Sequence, residues 1–221
     1  MKTVAKQLMV IAGLLLSSAA WGQKISPKEM AENMKSALSK GESVEFTFSF
    51  MSKDPAGKTI AEEEGTFIAQ GDCFRMNTDA LEIFCDGKAK WLYDKTNEEI
   101  TIFPHDPSTI EIAESPFAVL GMIDAEKFIF RPGAKSVEYS GRKLQSFTIV
   151  PKDKNVSYSE VTVSLDPDSW YPVLLEYKSI GGDRYILDIS GVVMGKARND
   201  SFYVPSPDLM DNPDIYVSDM R

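Results

Sequence analysis

The chain has 221 residues, 43% of them hydrophobic, which is enough for one sizeable core and does not call for a second domain. Acidic residues outnumber basic ones 33 to 24. That balance repels phosphate backbones and anionic lipid heads, so it argues against nucleic acid as a partner and leaves apolar contact as the route to any lipid.

The first residues predict export. Lys2 and Lys6 precede an apolar run at residues 8–16 and the small-residue end Ala20-Trp21-Gly22, the order of a secretory signal. The run is about half as long as the roughly twenty residues that a bilayer core requires. Cleavage is expected after Gly22, leaving a single mature domain over residues 23–221, and no cysteine follows the run to carry a lipid anchor. Without Lys2 and Lys6, 22 basic residues face 33 acidic ones, a net charge of −11.

Ser26 and Pro27 suit the cap and first position of a helix, with Glu29 in its first turn. Met30, Met34, Ala37 and Leu38 follow at helical spacing, and Gly41 closes the segment. From Val44 the period changes to two. Val44, Phe46, Phe48 and Phe50 alternate with Glu45, Thr47, Ser49 and Met51, a half-buried strand. Pro55-Ala56-Gly57 makes a turn, and residues 60–69 read as the returning strand, with Glu62-Glu63-Glu64 as a charged edge that resists mispairing. Strands are expected next at 73–76, 81–85, 91–93 and 100–103, with Asp86-Gly87-Lys88 as a tight turn. If the hairpin between them centres on Asp79, Cys73 faces Cys85 within disulfide reach. Two buried free thiols are the other reading.

Pro104, Pro107 and Pro116 bracket an insert, residues 108–122, that reads as one or two short helices. It is apolar through Ile110, Ile112, Phe117, Val119, Leu120 and Met122. Strands resume at 128–130, 137–139, 144–150, 158–165, 173–177 and 185–193, and residues 202–221 form an irregular tail with one short strand. About ten antiparallel strands make a sheet long enough to curl. Its concave face then needs a filler, whether side chains, a helical plug or a ligand.

Catalytic signals are sparse. His105, the single histidine, sits in a turn between Pro104 and Asp106 and reads as solvated surface. There is no G-x-S-x-G string, and one histidine with two cysteines is a poor zinc set. Asp166-Pro167-Asp168 reads as a turn before it reads as a hard-cation site, and no phosphate-cradling glycine loop occurs. The residues predict a protein that is not an enzyme and that carries neither cofactor nor metal. What stands out is aromatic. Phe46, Phe48, Phe50, Phe67, Phe74, Trp91 and Tyr93 lie in the first strands, with Phe147, Trp170 and Tyr177 later. They can complete a closed core. Together with Phe117 of the insert they can instead line a trough for an acyl chain, in which each buried CH₂ contributes about 0.8 kcal/mol.

Short strings in the middle of the chain occur in a telling order: Gly65-Thr66-Phe67, Phe74-Arg75-Met76, Ile83-Phe84-Cys85-Asp86-Gly87-Lys88 and Trp91-Leu92-Tyr93, then Ser115-Pro116-Phe117-Ala118-Val119-Leu120 and the stretch from Phe147 to Lys152. In that order they resemble the LolA-like periplasmic carriers of outer-membrane lipoproteins. The resemblance covers most of the mature chain. It implies a mainly β fold with short helices, an unclosed antiparallel β-barrel of about eleven strands covered by an N-terminal helix and a helical lid. It also implies a monomeric carrier that takes acylated lipoproteins from an inner-membrane ABC transporter to an outer-membrane acceptor.

In that pattern Phe74 matches the family's cavity phenylalanine and Leu120 a lid aliphatic. Met34 and Leu38 join the lining by helical spacing. Phe46, Phe48, Phe50, Phe67, Met76, Trp91, Tyr93 and Phe117 complete the expected acyl-chain cavity. Many family members carry a basic residue and a proline shortly before the phenylalanine, and their arginine hydrogen-bonds the lid shut. This chain has Gln70-Gly71 there. Gln70 lacks the charged fork, which makes Arg75 the substitute candidate for a latch. The same scaffold would also serve a non-enzymatic module that senses lipid or envelope stress and reports to a membrane partner.

Overall fold

The structure, a computed structural model, describes residues 25–106, 120 and 123–221. The expected signal segment lies outside these residues, as does the insert apart from Leu120. Among the described residues no helix is long and apolar enough to cross a membrane.

Helix α1 spans Pro27–Leu38 and begins as its sequence predicts. Ser26 Oγ accepts from Glu29 N at 3.2 Å, and Glu29 Oε2 accepts from Ser26 N at 2.8 Å, so two orphan donors are satisfied reciprocally. Its apolar stripe, Met30, Ala31, Met34 and Ala37, is buried.

Six strands follow as a meander: β1 (Ser43–Lys53), β2 (Thr59–Gln70), β3 (Cys73–Thr78), β4 (Leu81–Asp86), β5 (Ala89–Asp94) and β6 (Glu99–Pro104). After the insert come β7 (Phe128–Phe130), β8 (Lys135–Tyr139), β9 (Arg142–Pro151), β10 (Tyr158–Leu165), β11 (Pro172–Ser179), β12 (Arg184–Gly195) and, beyond two short helical segments, β13 (Tyr216–Asp219). All thirteen belong to one sheet in the order β13-β6-β5-β4-β3-β2-β1-β12-β11-β10-β9-β7, with β8 also paired to β9. The two halves of the chain therefore meet at β1 and β12, and the sheet is open rather than closed. This is the expected fold class with two differences in detail. Among the described residues there are thirteen strands where about eleven were expected for a barrel of this kind, and β13 runs parallel to β6. The parallel strand arises because the tail crosses the sheet before pairing, which no hairpin connection could do.

Strand register sorts side chains onto two faces. One concave row reads Leu92, Ile83, Met76, Phe67, Phe46, and a second reads Phe103, Lys90, Cys85, Phe74, Ala69, Val44. Across the other half of the sheet a third row reads Phe50, Leu187, Leu175, Val163, Phe147. Apart from Phe103 and Lys90, these rows form one hydrophobic cluster with Met30 and Met34 of α1, with Leu120 near the end of the insert and with Ile123 just after it. Irregular register in β1 between Glu45 and Thr47, and in β10 at both ends, supplies the local bends.

Turns are built from short acidic side chains. Asp86 Oδ1 accepts from Lys88 N and Ala89 N, both at 2.8 Å, and Gly87 takes the left-handed conformation, φ 84°. Asp166 Oδ1 accepts from Asp168 N at 3.1 Å and Ser169 N at 2.9 Å while its other oxygen meets Arg142 at 3.0 Å. The Asp-Pro-Asp string is thus a turn, and its bonds hold the Asp166 carboxyl below the ordinary range, backbone donation from Ser169 first.

At Gly65 of β2 the neighbouring strands leave no room for a side chain. A Cβ there would collide with the Asn77 carbonyl oxygen and lie 2.9 Å from Phe48 Cζ and Thr78 Cγ2. Gly65→Val is expected to lower stability by about 1–3 kcal/mol through overpacking, read as a shift in the urea midpoint. A variant as stable as wild type would show that the strands around Gly65 can move apart to admit a side chain.

Candidate functional site

The concave face is centred on a run of aromatic rings. Phe46 stacks on Phe67 with centroids 5.1 Å apart, Phe67 stacks on Phe74 at 5.8 Å, and Phe74 meets the His105 ring edge-on at 6.0 Å. All three phenylalanines are buried, as are Phe48 and Met76 on the same face. Phe50 is half-buried and stacks on Tyr185 at 6.1 Å. Met34 is buried over this face and Leu38 packs against its margin. Leu120 is buried in the same cluster, while Phe117 lies outside the described residues. The structure thus brings together most of the side chains expected to line the trough, and it roofs them with α1 and the end of the insert.

Trp91 and Tyr93 are corrections. Trp91 pairs with Phe84 and Ile102, and Tyr93 with Ile100, which places both on the convex face. There they pack on a second, smaller cluster of Ala89, Ile100, Ile102 and Ile215. Because Lys90 shares a face with Cys85, the neighbouring Trp91 must point the other way.

The latch candidates are corrected by the same parity. Phe67 and Phe74 face inward, so Gln70 and Arg75 face outward and bind the C-terminal segment. Gln70 Oε1 accepts from Arg198 N at 2.7 Å, and its Nε2 lies 3.5 Å from Arg198 O. Arg75 donates from Nε to Glu82 Oε1 at 2.8 Å, and its guanidinium lies over Phe84 at 4.6 Å and over Phe202 at 5.0 Å. Arg198 in turn pairs with Glu45 at 2.6 Å and covers the other approach to Phe202 at 4.6 Å. Tyr203 is buried beside them. This strap clamps the convex face, and β4 becomes buried on both sides, with Ile83 and Cys85 facing one cover and Phe84 the other.

Two residues that sequence reading placed elsewhere belong to the concave face. His105 is half-buried against Phe74 rather than solvated. Lys90 lies inside, opposite Cys85 and Phe103. Burial first, and then the Lys90 charge, hold the imidazole below its ordinary pKa against the opposing pull of Asp72, Asp106 and Asp86. Counting alternation through the Asp86-Gly87-Lys88 turn would have found Lys90.

The frame is an open sheet bent round an oily face and roofed by a helix. Comparison with known proteins agrees. A family model described as outer membrane lipoprotein carrier protein LolA matches residues 39–204, and the chain belongs to that family. A relative from Pasteurella multocida (strain Pm70), an outer-membrane lipoprotein carrier protein, is 26% identical over 175 residues, 77% of this chain and 76% of the relative. Another with the same description, from Alcanivorax borkumensis, is 21% identical over 211 residues, 92% of this chain and 93% of its own. The crystal structure of an uncharacterized conserved protein from Thermus thermophilus shares the fold, with a TM-score of 0.53 at 10% identity, over 86% of this chain and 97% of that one.

The cysteines do not face each other. Phe74 stands opposite Cys85 and Cys73 opposite Asp86, because the hairpin turns between Asp79 and Ala80 rather than on Asp79. A shift of half a residue changes which residues oppose, and it puts the two thiols on opposite faces. Both are free. Burial is the main cause that pushes the Cys85 thiol up to about 12 and also raises Cys73. In the native protein without reductant, Cys85 is expected to resist iodoacetamide, and both thiols should label once urea is added. A chain that stays unlabelled in urea until reduced would restore the disulfide.

Proposed function

We propose that this chain is a periplasmic, non-enzymatic carrier that shelters the acyl chains of lipoproteins on its concave face and moves them from inner to outer membrane. The observation that carries the reading is the ladder of stacked rings Phe46, Phe67 and Phe74 under a cover that is not part of the sheet. A face built only for packing can be closed by strands, whereas this one is closed by α1 and by the return of the insert at Leu120 and Ile123. The family membership and the two relatives described as outer-membrane lipoprotein carriers support the same cargo. On this reading residues 1–22 are an export signal removed after Gly22, and residues 23–221 work as one monomeric domain. The donor is an inner-membrane ABC transporter and the acceptor an outer-membrane receptor. No covalent chemistry is needed, since transfer is an exchange of apolar surface between hosts.

The test uses an uncharged fluorescent probe, N-phenyl-1-naphthylamine, together with mass spectrometry of what co-purifies from the native envelope. The wild-type protein is expected to bind the probe and to carry acylated peptides. Phe74→Glu, which sets a charge in the middle of the ladder, should weaken probe binding by about tenfold or more. Circular dichroism should confirm that the sheet survives. A wild-type protein that binds no probe and carries no acylated species would overturn the reading. A Phe74→Glu protein that alters envelope signalling while lipoprotein sorting continues would favour the sensing module instead.

A further inference from the structure

Strand β2 is longer than the neighbour beside it. β3 pairs with residues 65–70 of β2 and stops where Thr78 meets Gly65, whereas β1 stays paired with β2 as far as Thr59. Thr59, Ile60, Ala61, Glu62, Glu63 and Glu64 therefore have a strand on one side and, among the described residues, none on the other. All six are exposed. Every second residue of such a stretch turns its N–H and C=O away from the paired strand, so about 20 Å of ladder is left open.

This edge is preformed. β1 beneath it pairs with β12 on its other side, as far as Lys53 and Arg184. The hairpin tip is closed by Asp54, whose carbonyl accepts from Gly57 N at 2.9 Å and whose Oδ1 accepts from Lys58 N at 2.8 Å. An arriving strand meets a template already in place, which keeps the ordering cost of binding low.

Charge selects what can arrive. Glu63 stands on the side of Phe50, its partner on β1, and Glu62 and Glu64 stand on the other side, opposite Met51 and Ser49. Carboxylates thus flank the open edge on both faces, and among the described residues none of the three has a lysine or arginine partner. A second copy pairing here would bring glutamate against glutamate, and like charges directly opposite are destabilising. A segment bearing lysines or arginines gains opposite-charge pairs at the same positions.

We propose that residues 59–64 of β2 are a docking edge on which a partner protein adds a basic, extended segment as an extra strand. Main-chain bonds hold the segment, and Glu62, Glu63 and Glu64 select it by its lysines and arginines. Phe50, beside Glu63, is half-buried and packs against the core cluster of the concave face. A docked partner therefore lies next to that face, and the inference does not depend on what the face holds.

The probe is a fluorescein-labelled octapeptide that alternates lysine and threonine. Two controls accompany it, one with glutamate in place of lysine and one N-methylated throughout. Anisotropy titrations use the purified chain at low ionic strength, and hydrogen–deuterium exchange reports which amides the peptide protects. The lysine peptide is expected to bind and to slow exchange within residues 59–64, and both controls to bind at least about tenfold more weakly. A variant carrying E62Q, E63Q and E64Q, which alters exposed side chains only, should lose about tenfold in affinity for the lysine peptide. Equal binding by the methylated peptide would reduce the contact to charge alone and overturn the added strand. No binding by the lysine peptide, wild-type affinity in the glutamine variant, or protection that falls outside residues 59–64 would overturn it too. A peptide-free chain that dimerises in light scattering with residues 59–64 protected would give the edge to a second copy, against the proposal.

Discussion

Water is excluded from the concave side of this sheet, and the strands cannot accomplish that alone. Thirteen strands curl, but the ends of the sheet, β7 and β13, are not neighbours in it, so closure must come from elements outside the strands. Helix α1 supplies Met30 and Met34, both fully buried, and the end of the insert supplies Leu120, with Ile123 just after it. Each large apolar side chain buried this way contributes about 1.5–3 kcal/mol. The capping box at Ser26 and Glu29 matters for the same reason, since it starts the helix at the point from which its apolar stripe meets the sheet.

The convex side solves the opposite problem. Ile102, Trp91, Phe84 and Arg75 form a continuous row that would otherwise lie in water. The C-terminal segment crosses it, held by Arg198 on Glu45 and on the Gln70 side chain, and then adds β13 to the free edge of β6. An edge strand with unpaired donors is a site for aggregation, and covering it with a parallel strand removes that hazard. The two covers differ in kind. Among the described residues the convex one is stitched by ion pairs, cation–π contacts and side-chain bonds to the backbone, and the concave one packs on the sheet through the apolar side chains of α1, Leu120 and Ile123. Apolar contact is non-directional and can be exchanged for other apolar surface, while a hydrogen-bonded strap cannot be lifted without leaving donors and acceptors unpaired.

Much of this was legible from the residues. The alternation of Phe46, Phe48 and Phe50, the Ser-Pro-x-Glu helix start and the Asp-Gly turn each have a local physical cause, and each appears where the pattern puts it. The site was less legible, because membership of a face depends on register and register is not local. Trp91 and Tyr93 looked like lining on composition, yet the pairing of Cys85 with Lys90 sends them outward. The cysteine pair failed on a half-residue difference in the hairpin centre. Gln70 and Arg75 acquired their partners from residues about 125 positions further on, an association that no periodicity can reveal. His105 had the opposite fate, because a turn residue became inward-facing once its backbone continued the β5–β6 ladder.

A ligand on the concave face would not gain the full value of its own burial, because it takes the place of protein groups already there. Lifting two buried methionines forfeits about 3–6 kcal/mol, which at about 0.8 kcal/mol per methylene equals roughly four to seven methylenes of ligand. Short apolar molecules would then lose to the helix, and only chains longer than that would displace it. The same difference, rather than the gross burial, would set how tightly a long chain could be held there. Methionine suits that role better than a branched side chain, since its unbranched thioether packs against either a phenylalanine ladder or a ligand with little strain. The cover would therefore compete with any ligand for the face it protects, and their exchange would be reversible to the extent that the two apolar contacts are nearly equal.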